Sequence, residues 1–505
     1  MMRPLRVVRG IRDITGLFLL AFILPVLVTL VYEPWTDETF GARLPPSLAP
    51  FLAAAATVAL VWVVLTMMTR RTSTHDMLDK EAYLVVGLGW IMITLLGSLP
   101  FLYSGVLPAF WDAFFESMSG ITTTGASALQ VPVESVPAGV LFWRAWLQWI
   151  GGLGIIVLFV AALSRLTQGA MTLFQAEASG HMATRIRPTL VATARTLWRL
   201  YTVITVLMVL VFTALMARIG LPWKTALYDG TYHAFTTLST GGFSSRTGSI
   251  GWFSDPWIET ATIVFMLVGA TNFALLLRVR EGEWRALVKD PQWRLLMSVF
   301  AVATVLVVIV LWWDGVRSVA IVRAAAFAVT TALTGTGLVT AADFGFWPPA
   351  ALVVLLMLML MGGNAGSTSG AIKSGRFLIL GKVVAREIRR LLHPRAVIPL
   401  RVGQRTFDER AVYATIAFFF AYLTTWVLGT VLVAAFEPDL SVVDIASATA
   451  STLGNVGVGL GQVGPSGGYA MLSVPSKVVL TGLMWLGRLE IFTALLLFKP
   501  ESWKD

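Results

Sequence analysis

Thr122-Thr123-Thr124-Gly125 is the stretch that decides the expected fold, because the chain repeats its pattern three more times. Each tract follows a short amphipathic stretch and precedes an apolar stretch long enough for a helix. Glycine adopts positive φ readily, so successive backbone carbonyls can be aimed at a central axis. The pattern therefore predicts a fourfold pore that binds a dehydrated cation. The other three tracts are Leu238-Ser239-Thr240-Gly241, Thr334-Gly335-Thr336-Gly337 and Gly454-Asn455-Val456-Gly457.

The composition is that of a membrane protein. Of the 505 residues, 56% are hydrophobic and 13% are charged, and the mean hydropathy is +0.77, which excludes an ordinary soluble protein. A helix needs roughly 20 apolar residues to cross a bilayer. The first apolar stretch carries Pro25 and lacks a small-residue cleavage site, so we interpret it as a retained helix. The predicted spans are about 14–32, 47–68, 82–103, 136–164, 196–217, 256–277, 294–313, 348–380, 411–436 and 472–498.

Most of the 38 basic residues fall in segments that the predicted spans place on one side of the membrane. Loops rich in Lys and Arg stay in the cytoplasm, so both termini are expected to be cytoplasmic. The net charge of +10 then reflects topology rather than nucleic-acid binding. The basic segments are the amino terminus, 69–81, 165–200, 278–294, 373–410 and the carboxyl-terminal tail.

The sequence does not indicate an enzyme. It contains no cysteine, and its four histidines show no metal-ligand spacing, so neither thiolate nor transition-metal sites are expected. A phosphate-binding loop, a zinc motif and a nucleophile with a base are also absent from the sequence. Gly459-Leu-Gly461-Gln-Val-Gly464 matches a dinucleotide pattern, but its context lacks the preceding strand and the following helix.

The apolar stretches before the four tracts are too short to cross the membrane, so they are expected to be re-entrant. This predicts an all-α polytopic fold with four pseudo-symmetric repeats of helix, pore helix, filter and helix around one pore. For any single tract, a small-residue contact between helices is the alternative. The expected units are a two-helix prefix (1–80), repeat 1 (81–166), a cytosolic linker with repeat 2 (167–280), repeat 3 with a gate loop at 362–373 (281–392) and repeat 4 (393–505).

The expected cation ligands lie where the four pore helices end. A helix carboxyl terminus carries partial negative charge, so four ends aimed at one axis favour a cation. Backbone carbonyls, with Thr and Ser hydroxyls, would replace the water of the cation. No other cofactor is expected. The predicted filter residues are Thr123, Thr124, Gly125, Ser239, Thr240, Gly241, Thr334, Gly335, Thr336, Gly337, Asn455, Val456 and Gly457.

The eighth predicted span contains nine residues, 362–370, that include four glycines and no large apolar side chain, so a continuous helix is not expected there. Unwound backbone at membrane depth must be buried in protein or line a water-filled cavity. We interpret this segment as a flexible gate just below the third tract, with a tightly packed glycine-rich helix as the alternative. The predicted gate residues are Gly362, Gly363, Asn364, Ala365, Gly366, Ser367, Thr368, Ser369, Gly370, Lys373 and Arg488.

Charged residues inside predicted spans are few. Arg488 is placed near mid-bilayer, where it must face protein or water; the carbonyls of 362–370 and Glu490 are its expected partners. It would repel cations in the path, or it would simply tie two helices together. For Arg144, anchoring at the interface and contact with a pore helix are both open. Carboxylates are nearly absent from the spans, Glu490 being the clear case, which favours a channel-like path over a proton relay.

Four motifs carry a family resemblance: Phe115-Glu-Ser-Met-Ser-Gly-Ile-Thr-Thr-Thr-Gly125, Phe142-Trp-Arg-Ala-Trp-Leu-Gln-Trp-Ile-Gly-Gly-Leu-Gly154, Met361-Gly-Gly-Asn-Ala-Gly-Ser-Thr-Ser-Gly-Ala-Ile-Lys373 and Gly487-Arg-Leu-Glu-Ile-Phe492. With them, the chain resembles the Trk/Ktr/HKT superfamily of potassium transporters, and its two-helix prefix resembles the TrkH-type members. The resemblance implies a homodimer with one pore per subunit, a gate loop in contact with Arg488, and a cytosolic nucleotide-binding regulatory ring similar to TrkA.

Two tracts depart from the family pattern: Gly335 stands where Thr is frequent, and Val458 stands where Pro is usual, which would loosen selectivity. All four filter glycines are present, as in potassium-selective relatives, whereas sodium-preferring plant members have Ser in the first filter. We therefore expect potassium uptake across the bacterial inner membrane, driven by the membrane potential. A sodium or mixed sodium/potassium conductor is the first alternative. A non-conducting membrane scaffold or sensor, which holds a partner through its basic loops, is the second.

Overall fold

The computed structural model describes residues 4–34, 37–39, 42–72, 79–154, 190–340, 343–403 and 405–500. The end of the predicted span 136–164 and the first part of the predicted linker after residue 167 lie outside these residues. In chain order the helices are α1 Pro4–Phe18, α2 Ile23–Tyr32, α3 Leu48–Thr69, α4 Asp79–Gly97, α5 Leu99–Tyr103, α6 Phe110–Ile121, α7 Ala138–Trp149, α8 Leu190–Arg218, α9 Trp223–Leu238, α10 Pro256–Gly269, α11 Phe273–Arg280, α12 Trp284–Lys289, α13 Pro291–Trp313, α14 Ala320–Thr334, α15 Pro349–Met359, α16 Ser374–Leu392, α17 Glu409–Phe436, α18 Val442–Gly454, α19 Val474–Arg488 and α20 Phe492–Leu495.

Long apolar helices make up the membrane-spanning part. In the described ranges, six helical segments are long and apolar enough to cross a bilayer unaided. Their outward faces carry large apolar side chains such as Leu60 (64% exposed) and Val302 (60% exposed), as a lipid-facing surface requires. The six segments are Pro4–Tyr32, Leu48–Thr69, Lys80–Tyr103, Ala194–Arg218, Pro291–Trp313 and Glu409–Phe436.

Four shorter helices, α6, α9, α14 and α18, lie inside this layer, and their last turns are buried. Each ends where a glycine tract begins. The start of α18 is fixed by a capping box, in which Ser441 accepts a hydrogen bond from the Asp444 backbone and the Asp444 carboxylate accepts one from the Ser441 backbone. These helices are too short to span a bilayer, so the chain must turn back at their ends.

The helix after each tract is broken at a glycine. Helix α7 runs into a short π-helical turn, Ile150–Gly154. Helices α10 and α11 are bent by 106°, and α19 is bent by 112° from the short helical segment that follows. The predicted spans 256–277 and 472–498 are therefore each interrupted by a sharp bend. At the first bend, the Asn272 side chain accepts a hydrogen bond from Ala274 N and starts a new helix; at the second, Glu490 and Ile491 adopt positive φ.

The amino-terminal helices pack on the first repeat rather than standing apart. Glu33, at the end of α2, accepts hydrogen bonds from Ser47 N (2.9 Å) and Gly139 N (2.6 Å). The rings of Phe18 and Phe22 contact Trp143 of α7. Two short antiparallel hairpins, Asp37–Thr39 with Ala42–Leu44 and Leu400–Val402 with Arg405–Phe407, connect helices.

Candidate functional site

Backbone torsions give the four tracts one common register. Within residues 122–125, 239–242, 334–337 and 454–457, the second and fourth residues adopt positive φ, and the residue between them does not. The equivalent glycine of the second tract is therefore Gly242, so the sequence alignment on Gly241 is wrong by one residue. Two adjacent glycines fit the pattern equally well, and only the torsions separate them. We define turns 1 to 4 as residues 122–125, 239–242, 334–337 and 454–457.

Hydrogen bonds at the helix ends show the same register. The third residue of every turn donates its N–H to the carbonyl five residues earlier, in the last turn of the preceding short helix. The donors and acceptors are Thr124 N to Ser119 O (2.8 Å), Gly241 N to Thr236 O (2.7 Å), Thr336 N to Thr331 O (3.0 Å) and Val456 N to Ser451 O (2.8 Å). The four helix ends are thus built alike, although their side chains differ.

The four turns form a closed ring. A Cβ added to the last glycine of each turn would overlap the carbonyl oxygen of the third residue of the next turn, so only glycine fits there. Turn 4 meets turn 1 in the same way, which closes the circle. The contacts are Gly125 with Gly241 O, Gly242 with Thr336 O, Gly337 with Val456 O and Gly457 with Thr124 O.

Side chains around the ring are buried, and they hydrogen-bond to each other and to nearby backbone carbonyls. In turns 1 and 3, Thr122 and Thr334 bond the hydroxyls of Thr124 and Thr336 at 2.7 Å. Asn455 Nδ2 in turn 4 donates to Thr124 Oγ1 and to Met484 O, both at 3.0 Å. The hydroxyl of Thr123, in contrast, is buried and finds no hydrogen-bond partner among the described residues.

The break glycines lie directly against the short helices. A Cβ at Gly151 or Gly487 would overlap the carbonyl of Ile121 or Leu453, respectively. A Cβ at Gly269 would lie 2.9 Å from Leu238 O. Ile121, Leu238 and Leu453 each stand four residues before the last glycine of their turn. The breaks therefore occupy equivalent places, just beyond the ring.

In the third repeat the helix gives way to the irregular segment 362–373, which reaches across beneath the ring. Thr368 Oγ1 donates to Leu238 O (2.9 Å) and Gly269 O (3.0 Å), in the second repeat. At Gly370, an added Cβ would lie 2.8 Å from the Asn455 Cβ of turn 4. The segment thus contacts two other repeats as well as its own.

Hydrogen bonds hold the segment 362–373 along much of its length. Gly362 N donates to Ile372 O (2.9 Å), and Asn364 N donates to Ala270 O (2.8 Å). Lys373 Nζ donates to Ser369 O. Nearly all of these residues are buried. The absence of a continuous helix is as expected, but the segment is tied down in this conformation.

Arg488 is 9% exposed and donates to three backbone carbonyls: Thr368 O (2.9 Å), Gly151 O (2.6 Å) and Gly152 O (2.9 Å). The carbonyls of 362–370 and the Glu490 carboxylate were the expected partners, and the structure shows the hydrogen bond to a carbonyl of this segment, Thr368 O. Glu490 instead pairs with Arg376 at 2.5 Å.

Sequence reasoning missed several buried charges on the short helices. Its expectation of few carboxylates applied to the spans; Asp112, Glu116 and Asp229 lie outside them, and Glu259 lies near the outer end of the predicted span 256–277. Arg144 Nε donates to Glu116 Oε1 of α6 at 2.6 Å, so of the two alternatives for Arg144 the structure shows contact with a short helix. The other pairs are Lys477 with Asp112 (2.8 Å), Arg246 with Asp229 (2.5 Å) and Arg323 with Glu259.

Comparison with known proteins gives a consistent result. A family model described as "TrkH: Cation transport protein" matches residues 50–504. The Trk system potassium uptake protein TrkH of Salmonella typhimurium is 36% identical, with 98% of this chain and 99% of that protein covered. Its Escherichia coli K12 counterpart is 35% identical over the same shares. The crystal structure of the potassium transporter TrkH from Vibrio parahaemolyticus matches with a TM-score of 0.84, 31% identity and full coverage of both chains.

These matches confirm the family resemblance and the expectation of an all-α polytopic membrane fold. They also confirm that the chain is a transporter rather than an enzyme. The family model covers about nine-tenths of the sequence, including all four turns and the segment 362–373. The chain belongs to the TrkH family of cation transport proteins.

Proposed function

We propose that this chain takes up potassium through a pore at the centre of the ring, with the four turns as its selectivity filter. The closed contact from Gly125 through Gly242, Gly337 and Gly457 back to turn 1 is the observation that carries the proposal. Alternation of left-handed and ordinary backbone puts successive carbonyls on one side of a strand. Four such strands in a ring can replace the hydration shell of a potassium ion. The curated relatives are named as potassium uptake proteins.

The buried side chains support the same proposal. Thr123 Oγ1 in turn 1 and Ser119 Oγ, Thr331 Oγ1 and Ser451 Oγ at the helix ends are buried without a hydrogen-bond partner among the described residues. A buried hydroxyl without a partner costs free energy, so such groups need an explanation. A hydrated ion path next to the helix ends would satisfy these hydroxyls. The helix carboxyl termini would also favour a cation there.

The segment 362–373 is the proposed gate, with Arg488 as the residue that holds it. It lies beneath the ring and is linked through Thr368 and Arg488 to the other three repeats. Breaking these hydrogen bonds would release the segment from the path. A cationic guanidinium beside the path also repels potassium, so its position sets part of the barrier.

The proposed setting is the bacterial inner membrane, with both termini in the cytoplasm. The proposed units are the prefix 1–80 and the repeats 81–166, 167–280, 281–392 and 393–505. We also propose a homodimer with a cytosolic nucleotide-binding ring as regulatory partner, since the relatives are named as members of a Trk system. The chain has no cysteine, so a single cysteine placed at Lys499 can be labelled alone. Labelling by an impermeant maleimide in intact cells would contradict a cytoplasmic carboxyl terminus.

Rubidium uptake in cells that lack other potassium routes tests the filter. Gly242→Ala puts a side chain at φ +77° and against Thr336 O, so uptake is expected to disappear. Gly482→Ala is the control, because a Cβ there meets nothing within 4 Å. Normal uptake by Gly242→Ala would contradict the proposed filter, whereas a parent that supports no uptake would favour a non-conducting scaffold. Sodium competition then separates a potassium filter, which should be little inhibited, from a sodium or mixed conductor.

A further inference from the structure

Turn 2 is the most flexible of the four turns by sequence, because its last two residues are both glycine. The third position holds Thr124, Thr336 and Val456 in the other turns and Gly241 here. Two consecutive glycines have far more backbone freedom than a glycine that follows a side chain. A rotated peptide in this turn would move one carbonyl of the ring. Something outside the turn must therefore fix it.

Gln148 of α7 supplies that restraint. Its side chain is fully buried; Nε2 donates to Gly241 O at 2.6 Å, and Oε1 accepts from Phe243 N at 3.2 Å. A carbonyl can only accept and an N–H can only donate, so these two partners set the orientation of the amide. One side chain thus holds the backbone on both sides of Gly242.

Gln148 also occupies the space that a side chain at position 241 would need. A Cβ added to Gly241 would lie 2.8 Å from Gln148 Nε2 and closer still to the rest of the amide. Because φ of Gly241 is not positive, the backbone itself would accept a side chain there. Glycine is therefore required at position 241 because Gln148 occupies the space of a side chain, and not because of the backbone torsion.

The same pairing is absent from the other repeats. Gln148 stands three residues before the break glycine Gly151. At the equivalent place before Gly269, Gly362 and Gly487, the sequence has Met266, Met359 and Met484. Turns 1, 3 and 4 carry a side chain at their third position, and the helices of repeats 2, 3 and 4 carry methionine where the first repeat has Gln148. The one polar residue, in the first repeat, thus contacts the one turn without such a side chain, in the second repeat.

The geometry points to Gln148 as a positioning residue for cation discrimination: its amide fixes the carbonyl of Gly241 in the ring and compensates for the two glycines of turn 2. This inference rests on the proposed filter. The selectivity of such a ring depends on the number and placement of its carbonyls. Loss of the restraint should therefore change which cation is preferred more than it changes whether the protein folds.

The test compares Gln148→Met and Gln148→Glu with the parent for rubidium uptake, with and without sodium. Methionine is the residue of the other repeats, and glutamate keeps the acceptor for Phe243 N but loses the donor to Gly241 O. Both variants should reach the membrane and transport rubidium. Their rubidium-over-sodium preference should fall about 3- to 10-fold, the range expected for one net hydrogen bond.

A paired substitution provides the rescue. Gly241→Thr alone should abolish transport, because the new side chain meets Gln148. Combined with Gln148→Ala, which makes room, it should restore uptake and recover more discrimination than Gln148→Ala alone. Unchanged discrimination in both Gln148→Met and Gln148→Glu would overturn the inference and leave the filter intact. Normal uptake by Gly242→Ala would instead overturn the proposed filter itself.

Discussion

Arg488 donates a hydrogen bond to the carbonyl oxygen of Thr368 at 2.9 Å, and the other arm of its guanidinium reaches Gly151 O and Gly152 O. One side chain therefore joins the last long helix, the segment 362–373 and the end of α7. A charge buried this deeply is costly unless polar groups surround it, and the three carbonyls supply such groups. A guanidinium presents several donors in a fixed fork, which the ammonium of lysine does not reproduce.

Replacing Arg488 separates its charge from its hydrogen bonds. Arg488→Lys keeps the charge but cannot reach all three carbonyls, and Arg488→Gln loses both. We expect both variants to raise rubidium flux into proteoliposomes in the absence of any partner, because the segment 362–373 is released in each. If Arg488→Lys behaves like the parent while Arg488→Gln conducts, the charge alone sets the barrier.

Thr368 provides a second test of the same segment. Its hydroxyl donates to Leu238 O and Gly269 O, so Thr368→Val keeps the shape of the side chain and removes both hydrogen bonds. We expect higher basal flux and faster hydrogen exchange in 362–373. Ser367→Ala is the matched control, since the Ser367 hydroxyl is buried without a partner among the described residues. Equal flux in the two variants would count against a role for Thr368 in holding the segment.

The buried pair of Glu116 and Arg144 should contribute to stability rather than to the rate of transport. Both side chains are at most 3% exposed, and removing one partner leaves a buried charge, which costs about 3–5 kcal/mol. The single variants Glu116→Gln and Arg144→Gln should therefore lower the midpoint of thermal unfolding strongly. The double variant should lose less than the sum of the two.

A surface ion pair provides the reference against which the loss of stability in the buried pair can be compared. Arg218 pairs with Asp255 but is half exposed, so Arg218→Ala should cost no more than about 1 kcal/mol. Additive effects of Glu116→Gln and Arg144→Gln would show that the two groups do not interact in the folded protein.

Three of the four ring glycines could be predicted from the sequence, because the preference for glycine at these positions is local. Gly125, Gly337 and Gly457 were identified because glycine adopts positive φ readily. In the structure each also has a backbone oxygen where a Cβ would lie. The register of turn 2 could not be identified in this way, because Gly241 and Gly242 are indistinguishable in sequence. They differ only in what surrounds them: Gln148 beside one and the neighbouring turn beside the other.

The bends after α10 and α19 were not predicted, because local sequence marks them only weakly, by Gly269 and Asn272 at the first bend and by Gly487 at the second. No proline marks 269–273 or 488–492, and apolar residues continue on both sides. The bends depend on distant contacts, such as the pair of Glu490 with Arg376. The glycine-rich stretch 362–370 was recognised because its composition alone excludes a helix. The buried acids were missed because no charged partner lies near them in sequence, as with Asp112 and Lys477.

Glu437 should make stability depend on pH. It follows α17 and accepts hydrogen bonds from Ser473 N and Ser473 Oγ, both at 2.7 Å. Partial burial alone would raise the pKa of Glu437, but the hydrogen bonds from Ser473 and Ser476, with Lys477 nearby, hold that pKa below its usual 4.5. The contribution of the carboxylate is therefore present above pH 4.5 and is lost as the pH falls through the lowered pKa.

The midpoint of thermal unfolding, measured from pH 7 to pH 3, checks this pH dependence. Near neutral pH, Glu437→Gln should unfold at a lower temperature than the parent, because a neutral amide accepts these hydrogen bonds less strongly than a carboxylate does. Below pH 4.5 the parent should lose this advantage and the two curves should converge. Asp439→Asn, at an exposed position in the same connection, should show no such convergence. A difference between parent and Glu437→Gln that stays constant over the whole range would mean that protonation of Glu437 is not linked to unfolding.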